Sequence, residues 1–391
     1  MTDSRSGSPV AELWAAKPQV NRTGAPRLPG LDVTRAIALI GVVIMNYHGY
    51  LNRGDDGINR SLAERIFDPY NGPLGTRFAA TFVLVAGMGI TLMTNRSRLS
   101  RDPAAIREDR WRLVRRGVLL YAFGLLIEWI WQGAILFFYG AFFIVGALLF
   151  TVALRWLAVV GVAAALAGAG IAWFRINEQL DGQSTAWLDP PINSPRNLLL
   201  RTFVGYTHPL LPWLAFLCAG IALARFLPLL ARHRNRVLAA GLVMVTGTYA
   251  INYFGLRAAT DNFESRSDSA IRWRELLSTA PFDRGLLYTI GTLGSSLVAF
   301  CVISSIADRF PAAPITSLLQ HAGQMTLTLY IAHVLVFNAI VHWWLLIGSN
   351  GLDTALIFSL MFWVFAITFG ATWHRFIGTG PLERVYRGFG G

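Results

Sequence analysis

Apolar residues in this chain gather into runs of about 20 separated by polar breaks, the length an α-helix needs to cross a hydrocarbon layer roughly 30 Å thick. The runs are Leu31 to Tyr50, Leu74 to Thr94, Leu113 to Trp131, Ala134 to Leu154, Trp156 to Phe174, Leu210 to Leu230, Val237 to Leu256, Leu286 to Ala307, Met325 to Leu346 and Thr354 to Phe376. They predict an all-α, polytopic bundle of about ten transmembrane helices. The breaks at Trp131 to Ala134 and at Arg155 are very short, so the third, fourth and fifth runs read as consecutive hairpins.

Composition agrees with this pattern. Of 391 residues, 54% are apolar and only 14% charged, whereas a soluble domain of that length carries far more charge. The 13 Trp and 25 Phe suit lipid-facing and interfacial positions. The first 27 residues are polar and rich in Ser, Pro and Gly, without the apolar core of a cleaved signal peptide, and read as a disordered cytoplasmic tail. Residues 28–391 then form a single transmembrane domain.

Arginine sets the orientation. With the N-terminus inside, Arg96, Arg98, Arg101, Arg107, Arg110, Arg112, Arg115 and Arg116 share one cytoplasmic segment, and Arg225, Arg232, Arg234 and Arg236 another. The outer segments balance their arginines with Asp55, Asp56, Asp68, Asp181, Asp261, Asp268, Asp283 and other acids. The net charge of +12 is therefore a property of the cytoplasmic face, next to anionic lipid, and no nucleic-acid partner is needed to explain it. Both termini are expected in the cytoplasm and the chain in the plasma (inner) membrane. Cys218 and Cys301 fall within runs, which argues against a disulfide, and no metal-ligand, haem, P-loop or dinucleotide pattern occurs.

Ionisable groups inside spans are costly and mark function by default. The first run opens with Asp32 and Arg35, three apart and able to pair, and ends with Asn46-Tyr47-His48-Gly49. Asn46 follows Arg35 by eleven residues, about three turns, so one stripe of this helix joins the two membrane faces. Arg112 and Arg116 are four apart with Arg115 beside them, a grouping suited to phosphate. Towards the outer face, Tyr47, His48, Glu128, Gln132, His208 and His342 are candidates to line a polar cavity, with His333 deeper.

Leu31-Asp32-Val33-Thr34-Arg35 followed by Asn46, the stretch Phe78 to Gly87, the Arg112 to Arg116 cluster, Tyr206 to Arg225, Gly323 to Tyr330 and Gly380-Pro381-Leu382-Glu383 together resemble the YeiB-like and heparan-α-glucosaminide N-acetyltransferase-like membrane proteins. More distantly the chain is similar to the acyltransferase-3 family. The resemblance spans about Pro29 to Arg387. It implies transfer of an acyl group, usually acetyl, from cytoplasmic acyl-CoA to a hydroxyl or amine of a sugar on the other side, with acetyl-CoA as co-substrate and no metal. Arg112, Arg115, Arg116 and Arg35 would hold the CoA phosphates, and Asn46 matches a functional Asn. The sequence departs from the family where the loop Leu51 to Pro73 holds no His.

Acyl transfer from a thioester needs a base for the acceptor proton and a donor for the oxyanion. The residues offer His48 as base with Asn46 as donor, converging only if the helix unwinds near Gly49, and Glu128 as the reserve base. The rise from Asp32 to Asn46, about 21 Å at 1.5 Å per residue, matches a long donor with phosphates at one end and a thioester at the other. The acceptor expected is an envelope glycan or glycolipid, and a homodimer is compatible with the sequence. The competing readings are a lipid or small-solute transporter and a non-catalytic envelope scaffold.

Overall fold

The computed structural model describes residues 29–51, 61–188, 195–205, 207–264, 267–348 and 350–390. The expected disordered tail over residues 1–27 lies outside the described residues. The remainder forms fifteen α-helices, and no strand occurs among the described residues.

Each of the ten apolar runs coincides with a helix. The first four are α1 (Pro29–Leu51), α3 (Arg77–Ser100), α4 (Pro103–Glu128) and α5 (Leu136–Leu149), with the short α2 (Leu62–Ile66) between α1 and α3. Next come α6 (Leu154–Leu180), α7 (Pro195–Phe203), α8 (Leu210–Arg225), α9 (Leu227–Asn262), α10 (Asp268–Leu277) and α11 (Leu286–Arg309). The last are α12 (Pro314–Gln324), α13 (Thr326–Phe337), which runs on as a π-helical turn to Trp343, α14 (Leu352–Phe376) and α15 (Pro381–Gly390). Seven of these are long and apolar enough to cross a membrane, namely α1, α3, α6, α9, α11, α13 with its π-turn, and α14. The other three behave differently for physical reasons: α5 and α8 are shorter apolar helices, and α4 begins ten residues before its apolar run, capped by Asp102 with Pro103 in its first turn.

The core is built around α1, which packs against α3, α11, α12, α13 and α14. Small residues set the closest approaches, as membrane bundles require where burial alone gives helices little reason to associate. A Cβ on Gly220 of α8 would lie 1.9 Å from the carbonyl oxygen of Leu84 on α3, and one on Gly323 of α12 would lie 1.9 Å from that of Asp32. At both positions only glycine fits. Large apolar side chains on α14, including Ile357, Leu360, Met361, Val364 and Phe365, stay exposed on its outer face, where lipid is the natural solvent. The chain is an integral membrane protein.

Candidate functional site

Two cavities lie back to back along α1. The larger, about 650 Å³, is lined by Leu31, Asp32, Arg35, Leu39 and Val42 of α1 and by residues of α3, α4, α5, α12, α13 and α15. The smaller, about 140 Å³, is lined by Val42, Met45, Asn46 and Tyr50 of the same helix. Positions 31, 35, 39, 42, 46 and 50 advance by three or four, so a single stripe of one helix serves both. α3 repeats the arrangement, with Ala79, Phe82, Ala86, Gly89 and Met93 along the large cavity and Ala79 also on the small one. Val42, Ala79, Ile135 and Tyr330 line both and form the wall between them.

The polar groups of the large cavity cluster at the end away from that wall. Arg35 pairs with Asp32 at 3.3 Å, and Gln324 donates to the other oxygen of the same carboxylate. The guanidinium of Arg35 lies against Gly89, where a Cβ would stand 2.7 Å from it. Arg116 sits over the Tyr386 ring at 5.0 Å. Arg387 completes the cationic set on α15. That helix is fixed by Glu383, whose carboxylate accepts the backbone N–H groups of Leu327 and Thr328 at 2.8 and 3.0 Å and the Thr328 hydroxyl at 2.5 Å. These are the orphan donors of the first turn of α13, so α15 is clamped to it by a charged cap. Towards the wall the lining turns apolar and aromatic, with Phe82, Leu120, Leu136 and Tyr139.

At the small cavity the Asn46 amide donates to Nε2 of His333 at 3.2 Å. Accepting there leaves the His333 proton on Nδ1, which donates to the Tyr330 carbonyl. His333 is fully buried, edge-on to Trp131 and Tyr330, and Tyr47 donates to its carbonyl at 3.0 Å. Its imidazole therefore holds Asn46 from behind. His208 lines the same cavity, edge-on to Trp213 with ring centroids 4.6 Å apart, its Nδ1 buried without a partner. It precedes α8, and burial, with nearby Arg284 second, lowers its pKa to about 3, so the ring stays neutral and keeps an acceptor lone pair.

The other sequence candidates are distributed differently. His48 points away from Asn46: α1 stays helical through Leu51 instead of unwinding at Gly49, and the His48 Nδ1 meets the Phe67 carbonyl at 2.9 Å. It lines neither cavity. Glu128 is buried in an ion pair with Arg201 at 3.0 Å and accepts the Gly133 N–H. Of the arginine cluster only Arg116 reaches the large cavity; Arg112 pairs with Asp109 and Glu108, and Arg115 donates to the Gly390 carbonyl. Gln132 does line the small cavity. Tyr47 packs behind it on His333, and His342 lies in the π-turn against Phe337. Among the described residues no cluster suited to a metal occurs.

Three residues of the site escaped the sequence reading in whole or part. His333 was visible as an intramembrane imidazole, but its pairing with Asn46 joins helices 287 positions apart. Arg387 and Tyr386 lie in a short amphipathic helix after the last apolar run, where hydropathy carries no signal.

Two family models match the chain. The one described as heparan-alpha-glucosaminide N-acetyltransferase, catalytic, covers residues 27–254, and the one described as protein of unknown function (DUF418) covers residues 267–389. The first carries the Asn46 stripe and His208; the second carries His333 and α15. No curated protein matches the chain. With more than half of its length matched, and both cavities built from the two matched segments, this chain belongs to the heparan-alpha-glucosaminide N-acetyltransferase catalytic family, a membrane protein with an acetyltransferase-type domain.

Proposed function

We propose that the protein moves an acetyl group from acetyl-CoA, entering the large cavity from the cytoplasm, to an amine or hydroxyl of an envelope glycan or glycolipid reaching the small cavity from outside. The observation that carries this is the shared wall: one stripe of α1 lines a long cavity with arginines at its far end and then a small polar cavity holding Asn46. The large volume lies in the range of small-molecule sites. Its polarity runs from cationic to apolar in the order of the donor, from phosphates to pantetheine arm. The family description names a glucosaminide, so an amino sugar is the acceptor class favoured here.

In this reading Arg35, Arg116 and Arg387 hold the CoA phosphates as charge-assisted donors. The thioester lies at the wall of Val42, Ala79, Ile135 and Tyr330. The acceptor nitrogen attacks the thioester carbon, and the Asn46 amide, with one N–H kept on His333 and the other directed at the oxygen, stabilises the tetrahedral anion. His208 takes the acceptor proton and returns it to the departing thiolate as the carbon–sulfur bond breaks, giving an N-acetyl product and free CoA. An amine acceptor eases the task of the base, because the nitrogen becomes positively charged and more acidic than the free ammonium as it bonds to carbon. His333 positions Asn46. The arginine distribution orients both termini inward, with Arg96 to Arg116 on the cytoplasmic side.

Replacing Arg116 and Arg387 together by Ala should weaken acetyl-CoA binding about a hundredfold or more, because hydrogen bonds to charged groups contribute roughly 1.5–3 kcal/mol each. Acetyl-CoA-dependent thermal stabilisation measures this directly. Equal stabilisation of parent and double variant would remove the donor from this cavity and favour the transporter reading.

A further inference from the structure

A third cavity, about 160 Å³, opens beside the acceptor cavity and has no part in the transfer itself. The C-terminal half of α6 lines it with Arg175 and Gln179, the end of α10 with Glu275, and the following loop with Phe282, Asp283 and Arg284. Phe282 also lines the acceptor cavity, so the two share this aromatic side chain. That ring lies 5.9 Å from Tyr70, another residue of the acceptor cavity.

The loop is held in shape. Arg284, at a positive φ of 58°, donates to the Val204 carbonyl at 3.1 Å, and the Ser278 hydroxyl donates to the Asp283 carboxylate. α10 is tied to α6 by Arg272, which donates to Asn177 at 2.8 Å. Two arginines, two acids and an amide thus line one small space and offer it both donors and acceptors. Burial, and Asp283 second, raise the Glu275 pKa to about 7, so near neutral pH its carboxyl can donate as well as accept. Phosphate or any strongly anionic group would meet Asp283 and Glu275 as well as the arginines. A polyhydroxyl ligand, which donates and accepts at every carbon, finds partners on all sides, and the Phe282 ring offers a sugar an apolar face.

Resting on the acetyl-transfer reading, we infer that this cavity is a second acceptor subsite. It would hold the next sugar residue while the reacting amino sugar occupies the small cavity at Asn46. The size of the small cavity supports this, since about 140 Å³ has room for the reacting end of an acceptor and little more. The acceptor class is then an oligosaccharide or glycolipid of at least two sugar units, and a free monosaccharide is a poor substrate.

The test uses the full chain in detergent with two probes, glucosamine and a glucosamine disaccharide, against the parent and the variant Gln179→Ala combined with Arg175→Ala. Direct binding and acetyl transfer are measured separately, and Gln179→Ala alone serves if the double variant loses stability. The expected result is that the parent prefers the disaccharide at least tenfold, through KM and not kcat, and that the variant loses this preference while treating glucosamine as the parent does. Disaccharide binding that is lost in the variant, with no transfer in any sample, would keep the subsite and reject the transfer chemistry. A parent that binds the two probes equally, or a variant that keeps the preference, overturns the subsite whatever the transfer assay shows.

Discussion

At the scale of single residues, Asn46 bonds to a partner other than the one its sequence neighbours offer. Asn46 and His48 are two positions apart and leave a helix on different faces, so proximity in sequence argued for a pair that the intact helix keeps apart. The partner is His333, which reaches Asn46 because α13 packs on α1. No local pattern encodes that contact. Replacing Asn46 with Ala should lower turnover by a factor of about 10² to 10³, the scale of losing one oxyanion donor, with acetyl-CoA binding intact. Replacing His333 with Gln, which can still accept from the amide, should cost less than replacing it with Ala. His48→Ala should leave kcat within a few-fold and lower stability, because it removes the contact to Phe67. Initial rates and thermal midpoints on the same preparations check all four, and a His48→Ala enzyme as slow as the Asn46 variant would return the base to His48.

Glu275 supplies a residue-scale expectation about pH. Its pKa in the folded protein is raised to about 7 from an ordinary value near 4.5, mainly by burial. The folded state therefore binds a proton more tightly than the unfolded chain does, and the stability this contributes is full below about 4.5 and is lost as pH rises through 7. Glu275→Gln should flatten the fall in thermal midpoint between those pH values. A parent and variant with parallel pH profiles would show that Glu275 titrates normally.

At the scale of elements, hydropathy locates every long apolar helix, because the 20-residue run is a strong signal. It gives the arginine-rich start of α4 no weight and passes over α12 and α15, which are short, amphipathic and bordered by polar residues. Yet both wall the large cavity, α12 through Gly323 and Gln324 and α15 through Glu383, Tyr386 and Arg387. The sequence did show Gly380-Pro381-Leu382-Glu383 as a family-like stretch, and its physical content is the cap that Glu383 places on α13. Glu383→Ala should cost about 1–2 kcal/mol, the upper range for a lost cap, and raise KM for acetyl-CoA by loosening Tyr386 and Arg387. Limited proteolysis near Thr379 would report the release of α15. Unchanged protease resistance together with an unchanged KM would show that α15 is held by other contacts.

At the scale of the whole molecule, the protein is a bundle in which one helix stripe serves two cavities from opposite ends. The sequence made this stripe legible: Asp32, Arg35 and Asn46 share a face by spacing alone. What it could not show is the wall at Val42, Ala79, Ile135 and Tyr330, four apolar or aromatic residues from four helices that look like any other core positions. In the proposed reaction that wall divides a donor site from an acceptor site. Glu128, which the sequence offers as a reserve base, is a buried acid paired with Arg201; breaking such a pair typically costs 3–5 kcal/mol.

The most direct test of transfer across this wall is a sided assay in sealed vesicles containing the protein in a single orientation, its N-terminus outward. Labelled acetyl-CoA is supplied outside and a glucosamine disaccharide is trapped inside. The account predicts N-acetylated product inside the vesicles, formed by the parent and reduced at least a hundredfold by Asn46→Ala. Product that forms only when donor and acceptor are on the same side of the membrane would contradict it.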